Sequence, residues 1–88
     1  MQVTFKLFAM LSDHLPVEHD GVRRAGNVLP LTLPEATTVQ QVIDRFKLPH
    51  KLVHLVLVNG TYVVPAERAS RALVDGDVLA IWPPIAGG

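Results

Sequence analysis

One short amphipathic segment limits what this chain can fold into. In Thr37 to Pro49, TTVQQVIDRFKLP, the residues Val39, Val42, Ile43 and Phe46 fall at i, i+3, i+4 and i+7 and make a single apolar stripe. Thr38 and Gln41 fit a capping box at the start. Pro49 stops the helix, because the residue before a proline avoids the helical region. The spacing therefore predicts one helix, Thr38 to Leu48. A helix of about ten residues does not persist alone in water, so its stripe must lie on a sheet.

The rest of the chain supplies that sheet. From Gln2 to Phe8 the pattern alternates, with Val3, Phe5 and Leu7 on one face and Thr4, Lys6 and Phe8 on the other. Val28 to Leu33 alternates again, although Pro30 confines it to a sheet edge or an irregular strand. Leu52 to Val58 is apolar except for His54. Asn59-Gly60 follows, then Thr61 to Val64; an Asn-Gly pair between two β-rich runs signals a type I′ hairpin. Pro65 to Arg71 is polar and irregular. Asp75-Gly76-Asp77 is a turn, explained by turn chemistry alone, and it leads into a last strand, Val78 to Trp82, that Pro83 and Pro84 end. Ser12 to Asn27 is a long polar connection, expected to be mobile at its centre. The order β, β, helix, β, β, β predicts a two-layer α+β domain: a mixed sheet of about five strands with the helix packed across it. The body is expected to span residues 1–82, with a flexible tail over residues 83–88.

Alternation also predicts an unusual outer face. With Val3, Phe5, Leu7, Val56, Val58, Leu79 and Ile81 turned toward the helix, Phe8, Leu55, Leu57, Val78, Ala80 and Trp82 point away from it. The chain is 49% hydrophobic and only 18% charged, less than the usual quarter or so. An apolar surplus gathered on one sheet face marks a partner-binding surface, and Pro83, Pro84, Ile85 and Ala86 continue it toward the tail. Eight basic residues balance eight acidic ones without a run of either sign, so no nucleic acid and no membrane is expected as a partner. The opening QVTFKLFAML is a poor signal peptide and too short to span a bilayer. A cytoplasmic protein is expected.

Residues for catalysis are scarce. There is no cysteine, hence no thiolate ligand or thiol nucleophile. His14, Glu18, His19 and Asp20 share one loop, yet a solvated polar loop accounts for them better than a metal, and none is expected. His54 sits in an apolar run and reads as a strand histidine. What stands out is the tail. From Pro83 to Gly88 it reaches about 20 Å at roughly 3.3 Å per residue. The prolines keep it from adding to the sheet, and Gly87 and Gly88 present backbone and a carboxylate without side chains.

The stretch LVDGDVLAIWPPIAGG, Leu73 to Gly88, resembles the C-terminal signature of the MoaD/ThiS sulfur carriers. The likeness extends to VTFKLFA, to the helix and to LVLVNGTYV, so it covers most of the chain. It implies the β-grasp, ubiquitin-like fold. It also implies a carrier rather than an enzyme, in which an E1-like enzyme of MoeB/ThiF type uses ATP to adenylate Gly88. Sulfur from a persulfide then displaces AMP, leaving a thiocarboxylate. The sulfur-accepting partner would be a MoaE-type synthase large subunit, in molybdopterin (molybdenum cofactor) biosynthesis, or a thiazole synthase. No bound cofactor is implied. The Trp82-Pro83-Pro84 run is closer to the molybdopterin branch, while the NGTYV hairpin suits the thiamine branch equally. A ubiquitin-like modifier forming isopeptides through the diglycine is one alternative, and a β-grasp interaction module with an accidental Gly-Gly end is another.

Overall fold

The helical stripe is buried as its spacing requires. In the computed structural model, which describes residues 1–84, α1 spans Val39–Arg45, and Val39, Val42 and Ile43 are all buried. Both halves of the capping box form: Gln41 N donates to Thr38 Oγ1 at 3.2 Å, and Thr38 N donates to Gln41 Oε1 at 2.9 Å. The helix ends sooner than predicted. Lys47 turns left-handed at φ 54°, its N–H donates to Asp44 O, and Leu48 N donates to Ile43 O. That pair of bonds is a Schellman closure with lysine in the position glycine usually takes.

Five strands form the sheet beneath α1. They are β1 (Gln2–Leu7), β4 (Val28–Thr32), β5 (Leu55–Val58), β6 (Thr61–Tyr62) and β7 (Val78–Trp82), in the order β4-β1-β7-β5-β6. Only β1 and β7 run parallel; the other pairs are antiparallel. Pro30 lies on the edge strand β4, opposite Thr4, where its missing N–H costs no ladder bond. Asn59 and Gly60 adopt φ 51° and 82° in a two-residue hairpin, as a type I′ turn requires. The strand before it starts at Leu55 rather than Leu52, because His50–Leu52 closes into a 3-10 turn. The core is the expected one. Val3, Phe5, Leu7, Val56, Val58, Leu79 and Ile81 meet α1, and Phe46, half-buried, lays its ring 5.2 Å from that of Phe5.

The Ser12 to Asn27 connection differs from expectation. Ala9–His14 is a 3-10 turn that buries Leu11, and Leu15 is buried just after it. A small hairpin follows, β2 (Glu18–His19) with β3 (Val22–Arg23), turning through Asp20 and Gly21 at φ 51° and 77°. Arg24 Nη1 donates to Ser12 O at 2.8 Å and to Leu15 O at 2.9 Å, tying the hairpin's exit to the 3-10 turn. Two buried leucines, a hairpin and an arginine tie thus organise a stretch whose polarity suggested a mobile loop. No described helix is long and apolar enough to cross a membrane.

Candidate functional site: the outer sheet face and the root of the tail

The pairing registers set out the outer face row by row. Phe8 follows the last β1 residue and still donates its N–H to Ile81 O at 3.1 Å. This places it beside Trp82, and the two rings stack with centroids 4.0 Å apart and planes 6° from parallel. Trp82 pairs with Leu55, so the row runs Phe8, Trp82, Leu55. Two residues back, Lys6 pairs with Ala80, Ala80 with Leu57 and Leu57 with Tyr62. The third row sets Thr4 beside Val78. Side chains opposite one another across a ladder share a face. The surface is therefore apolar over β7, β5 and β6 and polar over β1, where Lys6 supplies the charge at the border with β7.

Exposure varies across the sites expected for a partner. Phe8, Leu57, Val78 and Trp82 are half-buried, and Leu55 and Pro84 are exposed. Ala80 and Pro83 differ from expectation, for both are buried. Ala80 is a methyl group set between the longer side chains of Lys6 and Leu57, which leave it little surface. Ile85, Ala86, Gly87 and Gly88 lie outside the described residues. Tyr62 was missed: it is exposed on this face, beside Leu57. The signal for it was present, since a two-residue turn at Asn59-Gly60 forces Leu57 and Tyr62 into register.

The strand that leads to the tail is held from several directions. Trp82 O accepts from His54 N at 3.1 Å, so the flanking chains grip β7 to its last residue. At its start, Asp77 is buried and does more than close a turn. Its Oδ1 accepts from Asn59 Nδ2 at 2.8 Å and its Oδ2 from Val74 N at 2.9 Å, while Thr4 N donates to its carbonyl at 2.9 Å. The carboxylate thus joins two turns, and the backbone carbonyl of the same residue ties them to β1. Removing a buried acceptor of this kind leaves unsatisfied donors, at a cost of about 1–3 kcal/mol.

His14, Glu18, His19 and Asp20 do not assemble into a ligand set. Among the described residues no group of three or more His, Asp or Glu side chains is placed to hold a metal. His19 instead packs its ring edgewise on Phe46, with centroids 5.2 Å apart. His54 is exposed, and it is its backbone that bonds β7.

The family model described as the ThiS family matches residues 22–88, well over half of the chain. No curated protein matches it. Among solved structures, SAMP1 of Haloferax volcanii superposes with a TM-score of 0.68 at 22% identity, with all of both chains covered. A putative molybdopterin converting factor subunit 1 from Pyrococcus furiosus gives 0.61 at 24% identity, covering 96% of this chain and 98% of that one. A chain from the complex of subunits 1 and 2 of molybdopterin-converting factor of Helicobacter pylori gives 0.56 at 17% identity, with both chains fully covered. At these identities the likeness establishes the fold, which is β-grasp and ubiquitin-like. The matched family adds the biochemical class: this chain belongs to the ThiS family of small, ubiquitin-fold sulfur carriers.

Proposed function

We propose that the chain carries sulfur on the carboxylate of Gly88 for the biosynthesis of a cofactor, molybdopterin before thiamine. An E1-like partner activates that carboxylate with ATP: the carboxylate attacks the α-phosphate and pyrophosphate leaves. A persulfide sulfur then attacks the acyl carbon and AMP leaves. A thiol cleaves the resulting acyl disulfide, becoming a disulfide itself and leaving the thiocarboxylate. The single observation behind this reading is that the ThiS-family match runs through residue 88, taking in the Gly76-Asp77 turn, Trp82-Pro83-Pro84 and Gly87-Gly88 together. Residues 1–82 act as the docking body and residues 83–88 as the arm that enters the partner's active site.

The outer face supplies the docking. Phe8, Trp82, Leu55, Leu57 and Val78 cover the activating enzyme's site and then the acceptor's, and their position at the root of the tail aims Gly88. Pro84 and Ile85 to Gly88 contact the walls of the partner's active site. The molybdopterin assignment rests on Trp82-Pro83-Pro84 and is in keeping with the fold likeness to the Pyrococcus furiosus protein and to the Helicobacter pylori complex, in which subunit 1 meets a second subunit. The likeness to the archaeal modifier SAMP1 favours a second reading, conjugation of Gly88 to lysines.

Intact mass separates the two. With ATP, an E1-like enzyme and a sulfur donor, the carrier gains the difference between sulfur and oxygen and nothing else. A modifier instead forms covalent adducts with other proteins. Deleting Gly88 is expected to abolish the mass gain and leave the melting temperature unchanged. Full sulfur loading of the deletion variant would overturn the proposal.

A further inference from the structure

Arg68 is buried by the fold and, among the described residues, has no carboxylate bonded to it. It is 5% exposed, and a guanidinium stays charged at every pH a protein meets. Its Nε donates to Val63 O and its Nη2 to His54 O, each at 3.2 Å, the long end of the hydrogen-bond range. Neither acceptor carries charge. Among the described residues no carboxylate lies within 4.0 Å of it; the carboxylates that meet a basic group at that distance are Glu35, beside the Met1 ammonium, and Asp20, beside His19. Buried arginines are normally paired, and two carbonyls engage only part of a group with five N–H donors.

The same residue lines a cavity of about 180 Å³ between α1 and the loops flanking the β5–β6 hairpin. Its walls include Ile43, Leu48, Val53 and Pro65, with Gln40 and His50 as hydrogen-bonding groups. The volume is below the roughly 300–1,000 Å³ of sites for drug-sized ligands, so a nucleotide is too large and a single side chain or short acid is the right size. Charge narrows the choice further. Asp44 also lines the cavity, with its Oδ1 held by Gln40 Nε2 at 2.9 Å. Asp44 is exposed, so water screens its charge, whereas Arg68 is buried; the single buried cation pairs with a monoanion, and a dianion would leave one charge unpaired.

We infer that this cavity binds an aliphatic monocarboxylate, with Arg68 taking the carboxylate and Ile43, Leu48 and Val53 taking the stem. The occupied site would also brace the root of the tail, because the carbonyl that Arg68 holds belongs to His54, whose N–H holds Trp82 O at 3.1 Å. The acid is either a free small molecule or the C-terminal residue of a polypeptide.

Nuclear magnetic resonance of the 88-residue chain tests this without ATP, sulfur or a partner, so its failure would leave the carrier reading standing. Butyrate is expected to shift the Arg68 Nε–H and the His50 and Val53 amides saturably, at constant chloride. Arg68→Gln should weaken binding by at least about tenfold. Arg68→Lys, which keeps the charge, serves if the glutamine variant unfolds; it should also bind more weakly, because an ammonium cannot reproduce the planar fork. The wild-type titration stands without either variant. An acetylated peptide ending in valine, compared with its amide, identifies the source: tighter binding of the acid than of butyrate points to a polypeptide terminus, and the reverse to a free acid. Shifts that do not saturate, that chloride reproduces, that phosphate exceeds, or that survive Arg68→Gln at full affinity would overturn the inference.

Discussion

The two faces of the five-stranded sheet are cut from the same strands and behave oppositely. Toward α1, Val3, Phe5 and Leu7 on β1, Val56 and Val58 on β5, and Leu79 and Ile81 on β7 are all buried. One residue along each strand, Phe8, Leu55, Leu57, Val78 and Trp82 are just as apolar and remain half-buried or exposed. Full burial of a side chain of this size stabilises by about 1.5–3 kcal/mol. The inner residues have realised that contribution within the fold. The outer ones hold much of it in reserve, available only when another surface covers them. If the outer face docks a partner as proposed, an apolar residue here contributes to stability or to association according to the parity of its position, not its type.

The largest effect expected from this contrast is on the inner face. Phe5 is fully buried and touches the Phe46 ring, so Phe5→Ala should cost about 3–5 kcal/mol in a denaturant titration. Its affinity for partners, measured where the variant is still folded, should match that of the wild type. A loss of stability below about 1 kcal/mol, or a weakened complex at full folding, would mean that the faces are not separated as described.

On the outer face the expectation is inverted. Trp82→Ala should weaken binding to the E1-like enzyme and to the sulfur-accepting subunit by about 2 kcal/mol or more, as truncated aromatic anchors do. Phe8→Ala should behave alike, since each ring is the other's stacking partner. Stability should fall by only about 1 kcal/mol, the scale of a lost aromatic pair. Titration calorimetry with either partner decides; unchanged affinity in both variants would move the interface off this face.

The inner face was legible because periodicity and burial are the same information. The stripe from Val39 to Phe46, the capping box and the Asn59-Gly60 turn are local patterns, and all were found where the sequence put them. Legibility failed where a local signal was atypical or masked, and where the partner is distant in sequence. Lys47 takes the left-handed position at the helix end without being glycine, because Pro49 and the Leu48–Ile43 bond decide the matter. Asp20-Gly21 turns a hairpin inside a stretch whose charges masked it. Asp77 and Arg68 looked like turn and loop residues, since backbone groups supplied by other segments carry no sequence signature. On the outer face alternation gave the direction of each side chain but not its cover. Ala80 faces outward and is still buried, because Lys6 and Leu57 flank it.

Tyr62 tests whether the contrast between faces extends to the sheet edge. It lies on the outer face beside Leu57, on the terminal strand β6, and is 48% exposed. It has no aromatic partner comparable to the Phe8–Trp82 stack, and Leu57 and Ala80 separate it from Lys6 on β1. An interface centred on the root of the tail would leave Tyr62 at its rim, where contacts exclude water and add little energy. Tyr62→Ala should therefore change stability by no more than about 0.5 kcal/mol, as exposed substitutions generally do. It should weaken partner binding by less than about 1 kcal/mol, clearly below the loss for Trp82→Ala. Parallel calorimetry on the two variants makes the comparison direct. If Tyr62→Ala costs as much as Trp82→Ala, the energetic centre of the docking face lies over β5 and β6, and the tail leaves from its margin.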